Sequence, residues 1–150
     1  MINSELHLEV VDSEGKIIEK TITVDPNDFS IDEADLDGEL CRAGTLLCYY
    51  GDLVAELEAR ASNFKNKVEE TRSTQAISLR IEAEKAGKKL TEGALGELIN
   101  SSMDRSAHLD LLVGAQKDAA KAANLFKAQF QKVECLKALA YRQRKMESAF

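Results

Sequence analysis

The sequence predicts a mainly α-helical protein, in which a long antiparallel helical hairpin resembling a coiled coil is joined by a short connecting helix and preceded by a small β-hairpin. Three observations support this prediction. After residue 36, apolar residues recur at alternating spacings of three and four, as in long packed helices. The 150 residues include one proline and no tryptophan, which favours uninterrupted helices. Short β-branched runs occur before residue 25, as in strands.

The first 33 residues form an acidic arm in this interpretation. Residues 6–11 and 17–24 are rich in β-branched side chains and flank a turn that contains Gly15, which predicts a β-hairpin. Pro26 ends the second strand, and Ser30 or Asp32 is suited to cap the following helix. A lone hairpin is only marginally stable in water. We therefore expect it either to lie against the rest of the chain or to be poorly ordered.

Residues 34–150 form a helical domain in the same interpretation, beginning with a long helix. More than four heptads of apolar residues favour a coiled-coil or long bundle helix, and a narrower alanine-rich pattern continues over residues 76–86. The positions of this seam are Leu36, Leu40, Ala43, Leu47, Tyr50, Val54, Leu57, Ala61, Phe64 and Val68.

A break and a second long helix follow. Gly87 suits the left-handed position after a helix, and Thr91 suits the N-cap of a short helix that ends near Ser101. The final helix is predicted from about Asp104. Its predicted buried positions are Leu109, Leu112, Gln116, Ala119, Ala123, Phe126, Phe130, Val133, Leu136 and Ala140.

The predicted helices are long enough to favour self-association. Helices of 40 to 50 residues extend about 60 to 75 Å, too far for one chain to cover both apolar seams. Extra apolar positions beside the seams therefore predict a homo-oligomer. The alternative is a monomeric three- or four-helix bundle in which the β-hairpin covers the exposed stripe.

Composition narrows the class of protein. A hydrophobic content of 44% excludes a disordered chain. No apolar run has the roughly 18 residues of a membrane span, and residues 1–5 do not resemble a signal peptide, so we expect a cytoplasmic protein without a membrane partner. The three cysteines fit a reducing compartment, and we expect Cys41 and Cys48 to be buried as small hydrophobes.

The sequence also lacks the patterns of common catalytic and cofactor sites. It has no glycine-rich phosphate loop and no dinucleotide-binding fingerprint. His7 and His108 have no cysteines at zinc-ligand spacing, so no metal site is predicted. Pairs of acids such as Glu69 and Glu70 fit a solvated helix surface better than a general acid and base. We therefore predict no catalytic residues, no cofactor and no enzymatic activity.

Charge is the more informative feature. Residues 1–40 carry twelve acidic and two basic side chains, whereas residues 101–150 carry nine basic and five acidic ones. On the final helix, basic residues fall within roughly 80° of one another and could follow a phosphate backbone. These are Lys117, Lys121, Lys132 and Arg142, which we call the basic stripe. The alternative is that such lysines only solvate the helix.

A second basic group runs through the first long helix into the turn that follows it. Adjacent Lys88 and Lys89 at the start of the short helix make this turn the best single anion-binding point. Stacking aromatics are few, so binding to nucleic acid would depend on the phosphate backbone and on salt. The group comprises Lys65, Lys67, Arg72, Arg80, Lys85, Lys88 and Lys89.

Several features occur in an order that resembles the UvsY-like recombination mediator proteins of tailed phages. They are the Tyr49-Tyr50 pair, then Arg80, then the Gly87-Lys-Lys-Leu-Thr-Glu92 turn, a short helix, and a basic helix ending in Leu139-Ala-Tyr-Arg142. The resemblance covers roughly residues 34–150. Arg80, Lys88, Lys89 and the capping Thr91 match the family motif, whereas the other basic residues are added from charge placement.

The resemblance implies a non-enzymatic protein of the host cell cytoplasm that forms a ring-like homo-oligomer. Such a protein binds single-stranded DNA without sequence preference and helps to load a RecA-like recombinase onto strands coated with single-strand-binding protein. The alternative is a helical protein–protein interaction module, for example a phage inhibitor of a host factor or a virion component. The acidic arm lies outside the resemblance, and one hypothesis is that it binds a partner or competes with DNA for the basic helices.

Overall fold

The computed structural model describes residues 5–11 and 14–150. The predicted fold class is confirmed, since long helices pack against each other behind a small two-stranded antiparallel sheet. Asp12 and Ser13 of the predicted turn lie outside the described residues. The elements are strands β1 (Glu5–Val11) and β2 (Ile17–Thr23), two short 3-10 helices (Pro26–Phe29 and Glu33–Asp35), and helices α1 (Leu36–Lys85), α2 (Glu92–Asn100) and α3 (Met103–Glu147).

Local hydrogen bonds set where the helices end. After α1, Gly87 has a φ of 68°, the Lys88 N–H donates to the Ala83 carbonyl at 2.8 Å, and the Gly87 N–H donates to Glu84 at 3.1 Å. This pair of bonds is a Schellman motif, which needs a residue that tolerates the left-handed conformation. Thr91 Oγ1 accepts from the Ala94 N–H at 3.2 Å and caps α2. The predicted roles of Gly87 and Thr91 are confirmed.

The segment between β2 and α1 uses acidic caps. Asp25 Oδ1 accepts from the Asn27 N–H at 2.9 Å, and Asp32 Oδ1 accepts from the Ala34 N–H at 3.0 Å, so each caps one 3-10 helix. Asp35 Oδ1 then accepts from the Gly38 N–H at 3.1 Å in the first turn of α1. Asp32 is therefore a cap, as predicted, but of the 3-10 helix that precedes α1.

The chain divides into two compact units. The terminal unit comprises residues 1–57 and 118–150, and the central unit comprises residues 58–117. Both long helices contribute residues to each unit. The division at residue 33 predicted from the sequence does not coincide with this one, because the β-hairpin contributes to the core of the terminal unit.

That core explains how a two-stranded hairpin is stabilised. Leu6 and Leu8 of β1 are buried in one cluster with side chains of α1 and α3. Burial of an apolar side chain of this size contributes roughly 1.5 to 3 kcal/mol, which an isolated hairpin lacks. The other members of the cluster are Tyr50, Leu53, Leu57, Ala119 and Ala122.

Within the terminal unit, α1 and α3 run antiparallel. Gln129 Nε2 donates to the Ala43 carbonyl at 3.4 Å, and further along α1 the Gly51 position faces the Phe126 ring. Residues later in α1 thus meet residues earlier in α3, as the predicted helical hairpin requires.

The seam predicted for α1 is confirmed, since all of its positions are buried or half-buried. The face predicted for α3 is wrong in part. Phe130 is 50% exposed and Gln116 is exposed, whereas Gln129 and Lys132 are buried. Apolar spacing misplaced this face because both buried polar side chains have partners on other elements, which the α3 sequence does not reveal.

The cysteine prediction is also wrong, because Cys41, Cys48 and Cys135 are all exposed and unpaired thiols. The buried face of α1 turns instead through Glu39, Ala43 and Tyr50. Cys41 and Cys48 therefore lie outside the packed face of the helix.

Replacing Leu8 by alanine should destabilise the terminal unit by roughly 2 to 5 kcal/mol, since it leaves a cavity between the hairpin and the helices. The measurement is urea-induced unfolding followed by circular dichroism. Ile18→Ala on the other strand is the matched control, because this side chain is 48% exposed. Equal losses in the two variants would contradict the packing of β1 on the helices.

Candidate nucleic-acid interface

The structure distributes the predicted DNA-contacting residues over both units. Lys121 lies in the terminal unit, and all the others lie in the central unit. Every one of these side chains is exposed. The central-unit residues are Lys65, Lys67, Arg72, Arg80, Lys85, Lys88, Lys89 and Lys117.

Three of these residues meet at the turn between α1 and α2. Arg80, Lys88 and Lys89 line a shallow depression of about 180 Å³, together with Ala83, Glu84 and Leu90. The Schellman motif fixes the backbone of Lys88, and the Thr91 cap begins α2 three residues later. The turn therefore holds three cationic side chains beside the N-terminal end of a helix, where the peptide dipoles favour anions.

Arg80 also has a partner that the sequence reading did not assign. Its Nη2 donates to Glu92 Oε1 at 2.8 Å, so the guanidinium bridges α1 and the first residue of α2. Both side chains are exposed, and ion pairs of this kind contribute little to stability. A phosphate at the turn would thus share Arg80 with Glu92, whereas Lys88 and Lys89 form no ion pair with any of the described residues.

The remaining basic residues of α1 are not gathered into one site. Lys65 and Lys85 are twenty residues apart on one helix, a separation of about 30 Å. Lys67 Nζ lies 5.8 Å from the centroid of the Phe64 ring, a weak cation–π contact at an exposed position. These residues could contact an extended polyanion at separate points but do not form a pocket.

A charged cluster in the terminal unit was missed by the sequence analysis. Lys132 was predicted on the solvent-exposed basic stripe, but its side chain is only 5% exposed. Its Nζ lies 2.9 Å from Glu39 Oε2 and donates to the Asp28 carbonyl at 2.9 Å. The prediction for Lys132 is therefore wrong, because an acid on α1 and a backbone carbonyl make burial of the ammonium tolerable.

Two further groups complete this cluster. Arg42 Nη2 donates to Glu39 Oε1 at 2.8 Å. Lys132 and Arg42 together lower the pKa of the Glu39 carboxyl. Tyr50 Oη donates to Asp28 Oδ2 at 3.1 Å, and burial raises the pKa of Tyr50, so this hydroxyl stays protonated as a donor.

One signal for the cluster was present in the sequence. Glu39 lies four residues before Ala43 on the apolar side of α1, and Lys132 lies four residues before Leu136 on α3. Opposite charges on the buried faces of two helices predicted to pack together suggest an ion pair. Apolar spacing alone does not register such a pair.

Searches for other kinds of site were made over the described residues. Among them, no group of three or more His, Cys, Asp or Glu side chains could hold a metal ion. No helix in residues 5–11 and 14–150 is long and apolar enough to cross a membrane. The side chain of His7 lies outside the description.

Comparisons with known proteins returned no relative. No protein-family model, no curated protein and no solved structure matches this chain.

The Glu39 cluster predicts a pH dependence of stability. A carboxyl whose pKa is lowered on folding stabilises the native state at neutral pH, and this contribution is lost as the pH falls below about 4.5, the ordinary value for glutamate. Glu39→Gln should therefore lower the urea midpoint at pH 7, and the difference from the parent protein should shrink towards pH 3.

The control for this experiment is Glu56→Gln, a substitution at an exposed position on the same helix. We expect it to leave the urea midpoint unchanged at both pH values. A difference between Glu39→Gln and the parent that stays constant from pH 7 to pH 3 would contradict the role of Glu39 as an ionised partner of Lys132.

Proposed function

We propose that this protein is a recombination mediator of the UvsY-like type. It binds single-stranded DNA through the phosphate backbone and helps to load a RecA-like recombinase onto strands coated with single-strand-binding protein. The observation that carries the proposal is the exposed turn where Lys88 and Lys89 lie beside Arg80 at the start of α2. This turn is also the sharpest part of the family resemblance.

The chemistry of the turn suits phosphate groups. The first N–H groups of α2 have no partner within the helix, and only that of Ala94 is satisfied by Thr91. Lysine ammonium groups add charge without fixing a direction, so the contact suits any phosphate in a flexible strand. Recognition of this kind is independent of base sequence and weakens as salt is added.

Weak contacts of this kind need to be repeated to hold a strand. Lysines and arginines at separate points along α1 provide several contacts in one copy, and a homo-oligomer multiplies them by avidity. A homo-oligomer, ring-like as in the family it resembles, is part of the proposal. The recombinase and the single-strand-binding protein enter it through the resemblance alone.

A second candidate function is a helical protein–protein interaction module, such as a phage inhibitor of a host factor or a virion component. It is favoured by apolar side chains that the central unit leaves in solvent. Ile77 and Ile81, four residues apart on one face of α1, are 59% and 47% exposed, and Leu98 of α2 is 47% exposed. Exposed apolar residues at helical spacing suit a protein partner or a second copy of the chain.

Binding of a labelled single-stranded oligonucleotide, measured by fluorescence anisotropy at about 50 and 200 mM salt, tests the proposal. We expect binding at the lower salt, weaker binding at the higher salt, and a loss on the order of tenfold in Lys88→Ala/Lys89→Ala. The loss follows from the removal of two charges at the turn.

The matched control is Lys20→Ala/Lys127→Ala, which removes the same charge from exposed positions outside the turn. It should bind nearly as well as the parent protein. Equal losses in the two double variants would show that only net charge matters. Absence of binding by the parent protein at low salt would contradict the mediator proposal and favour the interaction module.

A further inference from the structure

The segment between the hairpin and α1 lies against the C-terminal half of α3. Residues 25–35, which we call the acidic segment, contain five carboxylates and no basic side chain. Its Asp28 carbonyl accepts from Lys132 Nζ at 2.9 Å. Further along, Glu33 lines an apolar groove of about 510 Å³ together with Arg142 of α3. The segment therefore follows α3 from Lys132 to Arg142.

This position coincides with the basic stripe. Lys121, Lys132 and Arg142 fall within roughly 80° of one another on α3, and the acidic segment meets two of these three residues. The part of the terminal unit best suited to follow a phosphate backbone is thus occupied by a stretch of this chain that is itself rich in anionic groups.

We propose that residues 25–35 are a displaceable cover on a second DNA-binding surface, formed by the basic stripe of α3 with Lys121 and Arg142. The ligand is the phosphate backbone of single-stranded DNA, a choice that rests on the proposed function. The cover mimics the charge of the ligand, so the segment and the strand compete for the same face of α3. This surface is separate from the turn at Lys88 and Lys89.

The contacts that hold the cover are few. Besides the bond from Lys132, Tyr50 donates to the Asp28 carboxylate, and the Phe29 and Tyr50 ring centroids are 5.8 Å apart. The two 3-10 helices otherwise depend on local caps. A segment with so few buried contacts opens at lower cost than the helices beneath it.

Release of the cover would not leave a buried charge without a partner. Lys132 keeps its ion pair with Glu39, because Glu39 belongs to α1 and not to the segment. What opening would free is the side of α3 at Arg142, where Glu33 forms the opposite wall of the groove. Removal of this negative wall lets a phosphate approach the guanidinium.

Deletion of the whole arm would be a poor test, because Leu6 and Leu8 belong to the core. Asp25→Asn/Asp32→Asn/Glu33→Gln neutralises the cover and keeps the chain intact. Asparagine caps as well as aspartate, so both 3-10 helices retain their capping oxygens. The three carboxylates are exposed and form no ion pair with any of the described residues, which limits other effects.

The experiment is made in a protein that also carries Lys88→Ala/Lys89→Ala, so that the turn does not contribute. Its matched control carries Glu5→Gln/Glu19→Gln/Asp52→Asn, three exposed positions in the same unit with the same change of charge. Thermal unfolding by circular dichroism confirms that both proteins fold.

We expect the cover variant to bind a labelled single-stranded oligonucleotide on the order of tenfold more tightly than the control at about 50 mM salt. Adding Lys121→Ala/Arg142→Ala should remove this gain. Equal affinities of cover variant and control would overturn the proposal, and so would a gain that survives loss of Lys121 and Arg142. The result does not depend on the turn, so failure of the proposed site at Lys88 and Lys89 is detected separately.

Discussion

The buried ion pair between Lys132 and Glu39 is the contact on which the arrangement of the terminal unit depends. It joins α1 to α3, and its ammonium also holds the Asp28 carbonyl of the acidic segment. Two charges taken out of water cost several kcal/mol each, and only well-placed partners offset that cost. Arg42 supplies a further partner on the Glu39 side. A shift of α3 by one turn would separate these charges, so the pair selects one alignment of the helices.

This constraint also sorts the charges of the molecule. The chain is acidic overall, with a formal net charge of -6, yet its acids are concentrated in the first 40 residues. Part of that acidic stretch is held on α3 by Lys132, whereas the turn at Lys88 and Lys89 belongs to a different compact unit. An acidic composition is therefore compatible with a local cationic surface, because interactions of exposed charges are screened beyond about 10 Å at moderate salt.

Much of the fold could be predicted because its signals are local. The apolar seam of α1, the Gly87 cap and the Thr91 cap each depend on residues a few positions apart. The buried face of α3 was predicted less well, since Phe130 is half-exposed and Gln129 is buried. Apolar spacing ranks residues by type, and a buried glutamine becomes favourable only through a partner such as the Ala43 carbonyl, 86 residues away.

The candidate site divides in the same way. The sequence by itself determined where cationic residues occur, which of them adjoin a helix start, and that α1 and α3 are long amphipathic helices. Only the tertiary structure decided which cations are available: Arg80 is paired with Glu92, Lys132 is buried, and Lys88 and Lys89 stay exposed. The reason is physical. Helical periodicity and capping are set by hydrogen bonds within a few residues, whereas the availability of a charge depends on partners that folding brings from distant parts of the chain, as with Lys132 and Asp28 across 104 positions.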